Sequence, residues 1–227
     1  VTIVDLSIIG ILGAVLGLDV VAFPQAMLSR PLVACTVTAA FLGAAPTGLL
    51  LGALVEFFAL ETLPVGASRY PEWGSSSAVG GALVAAQPTL SAGSLLVAVV
   101  ATLVMAWAGG WSMVQLRRLN ALWARRRHDA IARGERRVVI GLQVYGLTAD
   151  LVRAGLLTMI GIAVFAPLYE RATAEWALGA STTRFLLVGV AGITAAGAVY
   201  KVFHGTAHTH WFFLAGLALG AGLLVMR

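Results

Sequence analysis

Charged side chains are scarce in this sequence. Only 11% of its 227 residues are Asp, Glu, Lys or Arg, against 59% apolar residues; a soluble domain carries roughly a quarter charged. Polar groups are too few to coat a water-facing surface, and a mean hydropathy of +0.92 points to lipid as the main solvent. There, every backbone polar group must be satisfied inside helices or a closed barrel. The apolar runs are continuous and do not alternate every second residue, which argues against barrel strands and predicts helices. Cysteine is nearly absent. Cys35 stands alone in an apolar run, so it forms no internal disulfide or cysteine metal cluster and reads as a small buried hydrophobe. Also missing are a Walker loop, an HExxH helix and a Gly-x-Ser-x-Gly elbow. Nothing supports an ATP-driven engine or a membrane hydrolase, and no catalytic residue, metal site or cofactor is expected. The start VTIVDLSIIGILGAVLGLD has no basic n-region or small-residue cleavage site and is expected to be a retained element, not a signal peptide.

What charge there is lies in one place. Residues 117–137 contain eight arginines against Asp129 and Glu135, a local balance of +6 within a chain total of +5. The loop therefore marks the cytoplasmic side of a multi-pass protein. Trp123 is its one aromatic residue, too few for a base-stacking platform, so nucleic acid is not an expected partner.

The apolar segments come in two lengths. Residues 91–116 and 138–168 are each long enough to cross a bilayer, which takes ~20 apolar residues, and they flank the basic loop. The others are short or broken. Asp5 and Asp19 interrupt residues 3–28 and Pro24 bends them. Gly43-Ala-Ala-Pro46-Thr-Gly48 splits Pro31–Leu60 into two halves. Residues 61–77 read as a polar loop, 77–87 as a short apolar piece, and 185–200 and 211–226 as two short segments around KVFHGTAHTH. Short halves around a Pro/Gly turn read as a re-entrant hairpin, tolerated only where protein or a wet cavity covers it. Interrupted helices gathered towards both ends point to a transporter with an internal inverted repeat and a midplane site. The expected fold is an all-α integral membrane protein with broken helices, forming one membrane domain over 1–227. Within it, 1–90 holds the hairpin and polar loop, 91–168 the two long spans, and 169–227 the C-terminal short helices. Small residues four apart, Gly13/Gly17 and Gly216/Gly220, would allow close helix approach.

An ionisable group inside an apolar run costs at least ~2.5–3.5 kcal/mol at the bilayer centre and therefore needs a reason. Glu56, between LLLGALV and FFAL, is either a carboxylate for substrate hydroxyls or a structural partner for a buried Arg or broken-helix amide. Asp19 sits in a comparable setting, though LDVVAFPQ around it would also suit an interfacial position. Gln25, just after Pro24, can both donate to and accept from a hydroxyl without burying charge. Arg30, immediately before Pro31, reads as a snorkelling interfacial cation. Asp150 and Arg153 are one helical turn apart and read as an intrahelical pair. His204, His208 and His210 lack a Cys or carboxylate neighbour and read as packing or interfacial histidines, not a metal site.

The stretch LDVVAFPQAMLSRPLVACTVTAAFLG, followed by TGLLLGALVEFFAL, resembles the start of the C subunits of mannose/fructose/sorbose-type phosphotransferase permeases. The block Ser29-Arg30-Pro31-Leu32-Val33-Ala34 is especially similar. LPVGASRYPEWGSSSA matches the family's VGA-x-x-x-P-acid loop, with Pro71 and Glu72 in the Pro-acid positions. The likeness is specific over residues 19–78 and more diffuse elsewhere. It implies a sugar-conducting subunit in a bacterial inner membrane, elevator-like, with hairpins carrying the sugar against a scaffold. It further implies an oligomeric assembly with a D-type membrane subunit and with cytoplasmic A and B subunits, the phosphoryl chemistry residing on a B-subunit histidine. Carried over by position, the substrate-binding candidates are Gln25, Glu56, Arg69 and Glu72. The sequence departs from the family pattern at Ala44, where an acid is usual, at Arg69, where Gln is common, and at Glu72, where Asp is usual.

The function expected is sugar translocation coupled to phosphorylation by partner proteins. Two rivals remain: an ion-coupled small-solute carrier using Glu56 or Asp19, and a non-transporting scaffold or sensor of the same fold, for which Ala44 speaks.

Overall fold

A computed structural model gives the structure of the protein and describes residues 3–20, 22, 24–60, 69–87, 90–203, 208, 211–212, 214–216 and 218–220. Those residues form eight helices and no strands: α1 Ile3–Leu18, α2 Pro31–Phe41, α3 Ala45–Ala59, α4 Trp73–Ala85, α5 Ala92–Arg126, α6 His128–Ala132, α7 Arg136–Ala174 and α8 Ala180–Phe203. Three of them, α5, α7 and α8, are long and apolar enough to cross a membrane. α1 to α4 are shorter, as broken helices require.

The hairpin expected between Pro31 and Leu60 is α2 and α3. Each starts with a proline in its first turn, where the missing N–H is harmless and φ is already helical. Gly43 turns the chain between them at φ +78, a conformation that costs glycine little. The two helices then run back antiparallel. A side chain at Gly52 would lie 2.7 Å from the Pro31 carbonyl, and one at Gly48 would run into Ala39 and the Cys35 carbonyl.

At the centre is α4, buried from Trp73 through Val84 and touching α1, α2, α3, α5 and α7. Its sequence, WGSSSAVGGALVA, is mostly small residues. Lipid offers helices no hydrophobic reason to associate, so close backbone approach has to hold them. A Cβ on Gly81 would sit 2.6 Å from the Cys35 carbonyl oxygen. Gly74 and Gly80 likewise leave no room for a side chain against Leu16 and Thr102. Gly13 and Gly17 press α1 onto Thr158 and Ala154 of α7, whereas among the described residues nothing lies within 4 Å of a Cβ on Gly216 or Gly220.

Several boundaries differ from the sequence reading. Residues 73–77 are the first turns of α4, because Glu72 caps a helix there. α1 ends at Leu18, so Pro24 follows the helix and does not bend it. α7 runs through Pro167 to Ala174; a long span with packed neighbours tolerates proline. α8 is one helix from Ala180, longer than the 185–200 segment. The basic loop is itself mostly helical. α5 and α7 continue into it for ~52 Å and ~58 Å in all, close through α6, and turn at Gly134 with φ +70.

Candidate functional site

The ends of the short helices meet on one side of the molecule. α1 and α3 finish there and α2 and α4 begin there, beside Ala106–Gly110 of α5. That part of α5 lies ~21–27 Å along the helix from Ala92, still within the thickness of a hydrocarbon core. Helix starts and stops at such depth expose backbone groups that something must satisfy.

Carboxylates satisfy them. Asp19, 1% exposed, accepts the backbone N–H groups of Ala26 at 2.7 Å and Ser29 at 2.9 Å. It gathers the turn between α1 and α2, in which Gln25 and Met27 hold left-handed backbone at φ +58 and +61. Such conformations are uncommon for side chains with a Cβ and cluster at functional sites. Asp19 is thus the turn's anchor, and Gln25 stands exposed on it.

Glu56 reaches across from α3 to the start of α2. It accepts the Leu32 N–H at 3.0 Å and the Arg30 Nε at 2.6 Å, and the Arg30 guanidinium makes a second, very short contact. Arg30 also donates to the Ala59 carbonyl at 3.4 Å. The guanidinium therefore ties the two arms of the hairpin together and is more than a snorkelling cation. Of the two readings left open for Glu56, this geometry supplies the structural partner.

Glu72 is fully buried. Its backbone N–H bonds the Ala106 carbonyl at 2.9 Å, and its carboxylate accepts the Ser75 N–H at 3.1 Å together with the Ser75 hydroxyl. It is the N-cap of α4, an anion at the positive end of a helix dipole. Space for it comes from glycines: a Cβ on Gly17 would lie 3.3 Å from Oε1, and one on Gly109 would lie 3.1 Å from Oε2. Arg69, three residues earlier, is exposed with its guanidinium over the Trp107 ring at 5.0 Å.

The structure thus places Gln25 and Glu56 around the α1–α2 turn and Arg69 and Glu72 on the strap entering α4. Gly17, two residues before Asp19, links the two groups. Other polar residues join them. Tyr70 takes a hydrogen bond from Arg117, whose guanidinium also stacks on its ring at 5.0 Å. Asp150 and Arg153 form the intrahelical pair that their spacing implies, with Nε to Oδ1 at 2.9 Å, and Arg153 donates onward to the Ser112 hydroxyl at 3.0 Å. Tyr70 and Arg117 are 47 positions apart, so no local pattern could have linked them. His204 and His210 lie outside the described residues, His208 is exposed, and the described residues contain no cluster able to hold a metal.

The sequence matches the family described as the PTS system sorbose-specific IIC component over residues 3–221. No curated protein matches the chain. A solved structure described only as a membrane protein superposes with a TM-score of 0.76 at 20% identity, covering 100% of this chain and 94% of that one. A chain of the mannose transporter ManYZ in complex with microcin E492 superposes with a TM-score of 0.64 at 18% identity, again covering 100% and 94%. At such identities the two structures speak for the fold.

Proposed function

Since this chain belongs to the family of sorbose-specific IIC components of the phosphotransferase system, we propose that it carries a neutral sugar across the bilayer through the site where its short helices end. It is a membrane subunit of a sugar permease of that system, and such a subunit works with further components of the system. The observation that carries the reading is the family match across nearly the whole chain.

In our reading the partners are a D-type membrane subunit and cytoplasmic A and B subunits, assembled in a bacterial inner membrane. One membrane domain over 1–227 moves its hairpin elements against a scaffold in an elevator-like manner, its two halves related as inverted repeats. Phosphoryl transfer occurs on a partner histidine. Gln25 and Arg69, both exposed, hydrogen-bond the sugar hydroxyls directly. Glu56 and Glu72 hold the helix N-termini that frame the site and offer their remaining lone pairs to the sugar. Glu56 is already engaged by Arg30 and by the Leu32 N–H, which favours the sugar reading over an ion-coupled carrier that would need this carboxylate free.

The test is phosphoenolpyruvate-dependent accumulation of L-sorbose and D-mannose in cells lacking their own permeases and supplied with this chain and its partner subunits. Phosphorylated sugar should accumulate inside the cells. Full assembly of the subunits with no uptake of either sugar or of D-fructose would overturn the transport reading in favour of a scaffold or sensor.

A further inference from the structure

A small cavity of about 270 Å³ opens between Ala22 of the α1–α2 turn, residues 113–120 of α5 and residues 142–150 of α7. About 20 residues take α5 from Ala92 across the hydrocarbon core, so residues 113–120 emerge on the side of the arginine-rich hairpin, which is cytoplasmic. The cavity thus lies at the inner membrane boundary, on the cytoplasmic side of the site where the short helices end and adjoining it through Ala22 of the α1–α2 turn and through Arg117 and Asp150. Arg117, Asn120, Gln143 and Asp150 line it between walls that include Leu116 and Leu147.

Three features point to a ligand. The Asn120 Oδ1 is buried without a hydrogen-bond partner among the described residues, and such an orphan costs ~1–3 kcal/mol unless something fills the place. Arg117 is held in position by the Tyr70 hydroxyl and ring, and Tyr70 adjoins Arg69 and Glu72 on the strap. Asp150 is fixed by Arg153, which Ser112 holds in turn. The polar groups are thus braced from behind, as in a preformed site.

Their chemistry selects the ligand. Two amides, a guanidinium and a carboxylate offer donors and acceptors of both signs, which suits a hydroxyl-rich neutral molecule. A phosphate would meet the Asp150 carboxylate. The volume falls below the ~300–1,000 Å³ of pockets for drug-sized ligands, which leaves room for one monosaccharide ring. We infer that this cavity is a second, cytoplasm-facing monosaccharide site, where sugar arriving from the membrane pauses before release. The inference rests on the transport reading above and adds a station to it.

Inside-out membrane vesicles containing the full chain and its partner subunits test it. A cysteine replacing Gly146 lines the cavity, because a Cβ there would lie 3.6 Å from the Asn120 Nδ2, and native Cys35 is buried. L-Sorbose or D-mannose should slow maleimide labelling of Gly146→Cys saturably, while glycerol at equal osmolarity should not. Adding Asn120→Leu should raise the half-protecting sugar concentration about tenfold, the loss expected for one hydrogen bond. Asn120→Gln should raise it less. If Gly146→Cys fails to fold, Leu142→Cys reports on the same cavity. Transport-competent vesicles whose labelling neither sugar slows would overturn the second site and leave the transport function standing. Vesicles that neither transport nor protect would sink both. Labelling slowed by inorganic phosphate or added phosphatidylglycerol, and not by sugar, would overturn the inference in favour of a phosphate group.

Discussion

At the scale of single residues, the acidic side chains inside apolar sequence serve as fasteners of backbone. Asp19, Glu56 and Glu72 each accept main-chain N–H groups at a turn or helix start. The sequence marks Asp19 and Glu56 because burial of charge needs a cause, whereas Glu72 lies in a stretch that reads as a polar loop and is singled out by the family resemblance; for none of them does the sequence name the partner. Arg30 lies 26 positions from Glu56 and pairs with it only once the hairpin closes. Asp150 and Arg153 were legible because their partnership is one helical turn long. Glu56→Gln should lower stability by about 1–3 kcal/mol, as a charge-assisted bond to Arg30 is weakened; the pair is partly exposed, at 29% and 18% of its side chains, which keeps the figure modest. A melting curve in detergent measures the loss, and adding Arg30→Gln should recover part of it. Sugar affinity of the folded Glu56→Gln protein is a separate readout. An unchanged value would remove Glu56 from the sugar site.

At the scale of elements, hydropathy located two of the three long spans, α5 and α7, read the third, α8, as a short segment, and placed the ends poorly. Arginine ends an apolar run without ending a helix, so α5 and α7 continue past the membrane boundary into the basic hairpin. The broken hairpin was readable from Gly43 and Pro46, since a positive φ and a first-turn proline are local requirements. The central position of α4 was not readable. Its first turns, through Ser77, read as the end of a polar loop and the rest as a short apolar piece, and its small residues make sense only with five neighbouring helices present. That packing gives a sharp prediction. Gly81→Leu would drive its side chain into the Cys35 carbonyl, where a Cβ already lies 2.6 Å away, and that backbone cannot yield without moving α2. Folded protein recovered as a single size-exclusion peak should fall to a small fraction of wild type. Gly189→Leu in α8, with nothing within 4 Å of its Cβ position, should be recovered normally. Equal recovery of both variants would refute the close-packing account of α4.

At the scale of the whole molecule, charge fixes orientation and exposure asks for company. The hairpin of α5, α6 and α7 concentrates arginine at one end, so the orientation we propose puts that end in the cytoplasm. Ala130→Cys in α6 should label with an impermeant maleimide in inside-out vesicles and stay unlabelled in intact cells, with buried Cys35 silent in both. Labelling from outside would invert the topology. The same frame bears on assembly. α8 packs against α3 and α5 along part of its surface only, while Phe185, Val188 and Ile193 stand more than two-thirds exposed. Lipid can cover those apolar faces, but it cannot cover the polar ends of the short helices. The turn from Pro24 to Leu28 carries backbone outside any helix and is exposed, and non-helical backbone at membrane depth has to be roofed by protein or by a wet cavity. A D-type membrane subunit is the roof we propose. Expressed alone, the chain should extract in low yield, aggregate on size exclusion and bind no sugar. Co-expressed with that subunit, it should run as one larger peak and recover sugar binding. A monodisperse chain that transports sugar by itself would show that its own helices already close the site.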